Sequence, residues 1–489
     1  MAKLLETANR YIWGLPTLLL ILGAGIFICV CTRCVQLRWL PKALRLFVSK
    51  LRFRKRSPQG TSAYRALCTA LAATVGTGNI AGVAGAIALG GPGAIFWMWV
   101  CAFLGMGIKY AEAALAVRFR TRNSSGDVVG GPMYMIRNGL HSRFRPLAYI
   151  YCFFAVVAAF GVGNATQINT VIAGINSTVS FFGGTATFRS DLILGGGLTI
   201  LTAIMFSGGA KRIGSIAERL VPFASVCYLL FGFGVLIACA DRIFPAFAMI
   251  LKGAFTPAAV TGGAVGSMLS AIRVGSARGI FTNEAGMGTA SIAHACADVS
   301  HPAEQGLMGI MEVFIDTILI CTMTALVILC SGVPIAYGQD LSANLTTDAF
   351  SAVYGPWICI PIALSLCCFA IATILGWGLY GIRSAQFLFG DKVWKPFVLL
   401  QLATVMLGAI LKTETVWLLA EIVNGLMSIP NLIALVLLSP ELVRLTKEYQ
   451  FGTYCADGGS NENFNQCQPV RAVSYAEIPP ACGKGRKAG

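Results

Sequence analysis

The chain has 489 residues, 56 % of them hydrophobic and 12 % charged, with a mean hydropathy of +0.72. A soluble domain carries about 25 % charged residues, so the deficit is about twofold and a water-soluble fold is excluded. Disorder fails for want of charge, collagen-like structure for want of a Gly-X-Y period, and 17 cysteines are too sparse for a disulfide scaffold. What remains is an all-α polytopic membrane protein. Each crossing takes about 20 residues, so eleven or twelve spans use about 220–240 and leave the rest for loops and tails.

The first apolar run, Tyr11 to Cys31, ends without a small-residue cleavage site and reads as a retained span, not a signal peptide. A basic stretch follows, with Arg38, Lys42, Arg45, Lys50, Arg52, Arg54, Lys55 and Arg56 and no acid among them. A short loop of that kind stays in the cytoplasm. Further apolar runs fall near 66–89, 93–117, 146–173, 192–207, 216–239, 258–280, 305–332, 355–388, 394–412 and 414–443, which makes eleven spans. If each run crosses once, Arg118, Arg120, Arg122, Arg137, Arg143 and Arg145 lie inside, as do Lys211, Arg212, Arg219, Lys392, Lys395 and the basic C-terminal tail. The outward connection from Ser331 to Pro356 holds Asp340 and Asp348 but no Lys or Arg. This bias places the N-terminus outside and the C-terminus in the cytoplasm. The net charge of +16 is therefore a loop property; a nucleic-acid partner would need its cations on one soluble face. The polar tail beyond Gln450 reads as a solvated extension.

Soluble-enzyme signals are weak. Cys31 and Cys34 form one C-x-x-C with no second pair, too few ligands for tetrahedral zinc. The three histidines, His141, His294 and His301, have no Ser or Cys partner at a catalytic spacing. Gly76-Thr-Gly mimics part of a dinucleotide fingerprint but lacks its third Gly and a preceding strand.

Glycine placement is more informative. Gly76 and Gly78 fall near the middle of the second span, where each costs a helix about 1 kcal/mol relative to Ala, and Thr77 and Asn79 offer competing local hydrogen bonds. One reading is a broken helix, tolerated only where it is buried in protein or lines a wet cavity, with freed N–H groups aimed at an anion and freed carbonyls at a cation. The other is close helix approach over a small-residue stripe. Five spans later Gly275, Ser276 and Gly279 interrupt an apolar run in the corresponding place. Two interrupted helices in two five-helix halves point to an inverted-repeat transporter preceded by one extra span. The expected division is 1–32 for the accessory span, 33–61 for the basic loop, 62–239 and 240–445 for the two repeats, and 446–489 for the tail.

Several motifs carry a resemblance: VGTGNIAGVA at 75–84, GGPGAIFWMW at 90–99, GGPMY at 130–134, TNEAGMG at 282–288, FIDTILICT at 314–322, ILGWGLYG at 374–381 and FLFG at 387–390. Collinear from about residue 10 to 445, they resemble the alanine or glycine:cation symporter family. Thr282 stands where many members have Ser, which keeps a hydroxyl. The resemblance implies a leucine-transporter-like 5+5 fold, eleven transmembrane helices with the accessory span, and sodium-coupled uptake of small neutral amino acids such as alanine and glycine across a cell membrane. Sodium is then the coupling ion and no other cofactor is expected; proton coupling is the alternative.

By position the resemblance implies a substrate pocket of Gly76, Thr77, Gly78 and Asn79, with Gln167, Ile272, Gly275 and Trp377. Amides near Thr77 and Gly78 suit a carboxylate, and Gln167 can donate to it or accept from the ammonium. Trp377 would close over a side chain no larger than methyl. Sodium in this fold class lies between first-helix carbonyls, here Ala72 to Val75, and hydroxyls of the eighth core helix, where Thr373 sits one turn from Trp377. Acids in apolar runs are expensive and invite a function. Glu112, three residues after Lys109, reads as an ion pair with it. Asp316 is either a cation or proton site or a tie between helices through Thr317 and Thr322. Glu284 is expected to pair with Arg278 or Arg273 in an inner gate.

Overall fold

The computed structural model describes residues 12, 15–52, 61–185, 187–263, 265, 267–339, 342–410 and 413–452. Tyr11, Arg54, Lys55, Arg56, Asp340 and the tail beyond residue 452 lie outside the described residues. The principal helices are α1 (Leu15–Cys31), α2 (Leu40–Arg52), α3 (Ala63–Thr74), α4 (Ala81–Gly90), α5 (Gly93–Arg118), α6 (Pro132–Gly139), α7 (Arg145–Phe160), α8 (Thr166–Phe181), α9 (Phe188–Phe206) and α10 (Gly209–Ala238). The second half contributes α11 (Ile243–Phe255), α12 (Met268–Asn283), α13 (Thr289–His294), α14 (Pro302–Val313), α15 (Thr322–Ser331), α16 (Ser342–Tyr354), α17 (Cys359–Phe389), α18 (Trp394–Gly408), α19 (Thr413–Leu437) and α20 (Ser439–Phe451). The last helix therefore runs on past residue 446, where the sequence suggested a polar tail.

Six helical segments among the described residues are long and apolar enough to cross a membrane, and two bent pairs raise the number to eight. One bent pair is α3 and α4, which meet at 62°; the other is the end of α19 and α20, at 60°. Two other segments change pitch without stopping. A π-turn at Gly161–Ala165 joins α7 to α8, and another at Phe314–Cys321 joins α14 to α15. Such π-turns concentrate at functional sites because the extra residue frees a local carbonyl and redirects the side chains.

The helices pack in two groups. α5 lies between α12 and α14 and also meets α4, whereas α17 packs on α7, α8 and α10. α3 touches both groups, meeting α10 and α17 in one and α14 in the other. α5 is buried along most of its length, while α9 exposes Phe188, Ile193, Ile200 and Ile204, as a lipid-facing helix does. A two-residue parallel pairing of Thr61–Ser62 with Ala297–Asp298 brings the start of α3 beside the chain that leads into α14.

Several helix crossings depend on missing side chains. A Cβ built on Gly93 would lie 2.0 Å from the backbone carbon of Gly253, and one on Gly275 would lie 2.3 Å from the carbonyl oxygen of Ala94. Backbone cannot move aside as a flexible side chain can, so both contacts require glycine. Gly93→Val should therefore lower stability by about 1–3 kcal/mol or more, read as earlier thermal unfolding of the detergent-solubilised protein. Gly23→Ala, where nothing stands within 4 Å, serves as the control and should not lower the midpoint.

Candidate functional site

The chain leaves α3 at Val75 and does not resume an α-helix until Ala81. Ser62 starts α3 by accepting a hydrogen bond from the Arg65 amide at 3.2 Å, and the helix stops where Gly76 takes an extended conformation, φ −145° and ψ −153°. Thr77 to Asn79 then form a single 3-10 turn. The freed backbone is not left bare. The Gly76 amide donates to Asn79 Oδ1 at 2.9 Å, and Thr324 Oγ1 donates to the Asn79 carbonyl at 2.9 Å. Asn79 Nδ2 donates to Asp316 Oδ1 at 2.7 Å and to the Asp316 carbonyl at 3.1 Å. Thr317 Oγ1 donates to the other Asp316 oxygen at 2.7 Å. Asp316 thus joins the first break to the π-turn between α14 and α15, a tie between helices that runs through Asn79; Thr317 is its chain neighbour on the same turn, and Thr322 accepts from Trp99 Nε1 at 2.8 Å.

Four of the sequence-predicted residues, Gly76, Thr77, Gln167 and Thr373, meet on the other side of this break. Thr77 Oγ1 donates to Gln167 Oε1 at 3.2 Å, and the Gln167 amide nitrogen reaches the Val162 carbonyl in the π-turn at 3.3 Å. A Cβ on Gly76 would sit 2.7 Å from Thr373 Oγ1 and 3.7 Å from Gln167 Oε1. Ala72 and Val75 are fully buried on the same turn of backbone. Gly376, between Thr373 and Trp377, lets α17 lie against Ala73 of α3, where an added Cβ would meet the Ala73 nitrogen at 2.8 Å.

A second break follows α12, and it is not where the glycines suggested. α12 runs unbroken through Gly275 and Gly279 to Asn283; the chain leaves it at Glu284, whose φ of 53° is left-handed, and re-enters α13 at Thr289. Gly275 and Gly279 are contact glycines against α5, at Ala94 and Met98. Gly288 has φ +77°, and a side chain there would collide with Pro132 at 2.4 Å. Glu112 holds the loop together: its Oε1 accepts from the amides of Gly286 and Gly288, both at 3.0 Å, and from Asn431 Nδ2 at 2.8 Å. Asn431 also donates to the Gly286 carbonyl at 2.9 Å.

The expected ion pairs are accordingly redistributed. Lys109 pairs with Glu312 at 2.9 Å rather than with Glu112, and both side chains are fully buried. Glu312 also accepts from His294 Nε2 at 2.9 Å, while Gln305 donates to His294 Nδ1 at 2.6 Å. Glu284 does not pair with Arg278 or Arg273. Its oxygens accept from Trp377 Nε1 at 2.8 Å and Thr289 Oγ1 at 2.6 Å, and Arg278 lies 3.8 Å from Glu421.

The end of α12, not its middle, approaches the first break: a Cβ on Gly78 would lie 3.6 Å from Thr282 Oγ1 and 3.9 Å from Phe281. Gly275 and Ile272 are seven and ten residues earlier, about 10 and 15 Å along the helix. Val274, between them, stands against Gly90 at the far end of α4. The structure therefore groups Gly76, Thr77, Gly78, Asn79, Gln167 and Thr373, with Trp377 one turn on, and leaves Ile272 and Gly275 at a helix crossing.

The family model described as the sodium:alanine symporter family matches residues 1–463. The chain belongs to that family. The symporter is similar to the sodium/alanine symporter AgcS of Methanococcus maripaludis, 42 % identical over 451 residues that cover 91 % of this chain and 97 % of the relative. It is also similar to the probable sodium/glutamine symporter GlnT of Bacillus subtilis, 35 % identical over 477 residues and 95 % of each chain. Among solved structures, MhsT in complex with L-phenylalanine matches with a TM-score of 0.55 at 14 % identity, covering 80 % of this chain and 99 % of that one. The fold is thus the all-α, leucine-transporter-like arrangement with interrupted helices. The symporter is a multi-pass membrane protein, a secondary transporter with sodium as its coupling ion, and not an enzyme.

Sequence reasoning about the symporter missed the part played by Glu112, Asn431 and His294. The signal available was a set of charged residues, Lys109, Glu112 and Glu312, inside otherwise apolar runs. Neighbours three apart on one helix invite a local pair, yet both side chains reach across to other helices. Removing one partner of a buried pair leaves the other charge without compensation. Lys109→Met in the symporter should cost about 3–5 kcal/mol, seen as loss of the folded peak in detergent gel filtration and a lower unfolding midpoint. Pairing it with Glu312→Gln should recover part of that loss.

Proposed function

We propose that the symporter imports alanine and glycine together with sodium, binding both at the first helix break. The observation that carries this reading is the buried convergence of Gly76, Thr77, Gln167 and Thr373 on unwound backbone. The amides of Gly76, Asn79 and Ile80 are engaged by Asn79 Oδ1, the Gly76 carbonyl and the Thr77 carbonyl. This leaves the Thr77 and Gly78 amides as the donors for a substrate carboxylate, with Gln167 beside them. Carbonyls from Ala72 to Val75 and the Thr373 hydroxyl, which stands against Gly76, supply hard oxygen ligands for sodium. Trp377 stands one turn further along α17 and limits the substrate side chain. The name of the Methanococcus maripaludis relative, a sodium/alanine symporter, agrees with this reading.

Sodium binding next to Gly76 fixes the unwound segment and so preorganises the carboxylate donors, which couples the two ligands. Alternating access is then a rocking of the α3–α5 and α12–α15 group against the group built on α7–α9 and α17–α18. In this reading eleven helices cross the membrane: α1 as an accessory span, five in 62–239 and five in 240–445, with the N-terminus outside and the C-terminus in the cytoplasm. One charge moving through about 150 mV gains about 3.5 kcal/mol, and a tenfold sodium gradient adds about 1.4 kcal/mol. One sodium can therefore sustain an accumulation of about several thousandfold.

Proteoliposomes holding the purified symporter should take up radiolabelled alanine when an inward sodium gradient is imposed and stop when potassium replaces sodium at fixed pH. Uptake that follows a proton gradient and ignores sodium would instead support the proton-coupled alternative. Thr373→Val should raise the sodium concentration needed for half-maximal uptake by about tenfold or more; an unchanged sodium dependence would remove Thr373 from the ion site.

A further inference from the structure

The indole of Trp377 is fixed at both ends. At its root, a Cβ on Gly163 would lie only 2.4 Å from the Trp377 Cβ, so the side chain leaves α17 directly against the backbone of the π-turn that also binds Gln167. Tyr380 supports one side of the ring, edge-on, with centroids 6.1 Å apart. At its tip, Nε1 donates to Glu284 Oε1 at 2.8 Å. Glu284 belongs to the second break and is itself held by Thr289 on its other oxygen. Trp377 is 1 % exposed and Glu284 4 %. A buried carboxylate with an indole donor is a strong and directional partner, because neither group can exchange the bond for water.

The ring therefore bridges the two breaks. It starts one turn from Thr373, which touches Gly76, and ends on the loop that follows α12, whose last turn touches Gly78. Without the anchor at Glu284, the indole would be free to turn about its second torsion and its tip could swing away from the space between the breaks. From this geometry we infer that Glu284 is a positioning residue: through Trp377 it sets the largest substrate side chain that the pocket accepts. The inference rests on the reading of the first break as the amino-acid pocket and adds the device that fixes its size limit. It also assigns Glu284 a place in selectivity, in the role where the sequence alone suggested a gate paired with arginine.

The test is a comparison of kcat/KM for sodium-driven uptake of alanine and of leucine in proteoliposomes, with glycine and valine as intermediate points. Wild type should favour alanine over leucine. Glu284→Ala should shrink that ratio by about tenfold or more, the size of effect that one or more methylene groups have in an apolar pocket. Glu284→Gln should keep the wild-type ratio, because its amide oxygen still accepts from the indole and its amide nitrogen can donate to Thr289. Trp377→Phe, which retains a ring but loses the donor, should shrink the ratio as Glu284→Ala does, and the double variant should shrink it no further. A purely structural role would lower uptake of all substrates in parallel. An unchanged ratio in Glu284→Ala, or a Gln variant that behaves like the Ala variant, overturns the inference. Should Glu284→Ala fail to reach the membrane folded, Trp377→Phe decides by itself: a wild-type ratio there also overturns it. Wild-type protein that takes up neither alanine nor glycine would instead overturn the functional reading on which the inference rests.

Discussion

A helix interrupted inside an apolar interior must still satisfy every backbone group it releases, and that requirement organises this protein. Water is not at hand to do it, so side chains from other helices must. At the first break Asn79 turns back to cap the Gly76 amide and is itself held by Asp316, while Thr324 takes the Asn79 carbonyl as its acceptor. At the second, the Glu112 carboxylate collects the Gly286 and Gly288 amides and Asn431 bonds the Gly286 carbonyl. Each break is thus closed by a buried acid on a neighbouring helix. The acids that looked anomalous in an apolar sequence are the groups that make the interruptions affordable.

The same contacts explain why the breaks are coupled to each other. Asp316 and Glu312 lie four residues apart on the α14 side of the fold, and Glu312 is tied through Lys109 to α5, three residues before Glu112. His294, at the end of α13, joins the same carboxylate. Hydrogen bonds at Asp316, Glu312 and Glu112, joined by the helix turns of α14 and α5 between them, therefore link the first break to the loop and short helix of the second. Between the breaks, α17 presents Thr373 to one and Trp377 to the other. A shift of α17 relative to α5 would be felt at both, as the opening and closing of a site between two helix groups requires.

Much of the first break was legible because its signal is local. Gly76 and Gly78 weaken a helix wherever they stand, and Asn79 makes the competing local hydrogen bond, to the Gly76 amide, while Thr77 turns its hydroxyl to Gln167. The second break was misplaced for a physical reason. Gly275 and Gly279 look like the same signal, but here the missing side chains serve the crossing of α12 over Ala94 and Met98, so the helix gains packing and stays intact. The true interruption, at Glu284 to Gly288, depends on an acceptor supplied by Glu112, more than 170 residues away in the chain. No spacing within α12 could report it. Ion pairing failed in a similar way: Lys109 and Glu112 are close on one helix, yet each has a better partner across an interface. The multi-pass membrane character, by contrast, depends on composition alone, and the structure carries six to eight of the eleven expected spans among the described residues.

The proposed meeting place of sodium and amino acid is the unwound segment at Gly76 to Asn79, held in shape by Asn79. Equilibrium binding of radiolabelled alanine to the purified protein, in sodium and in potassium, for wild type and Asn79→Leu, tests this without any dependence on the transport cycle. The expected result is at least about tenfold tighter binding in sodium for the wild type, with no measurable binding to the folded variant. Equal binding in the two salts, or an Asn79→Leu protein that binds alanine as wild type does, would contradict it.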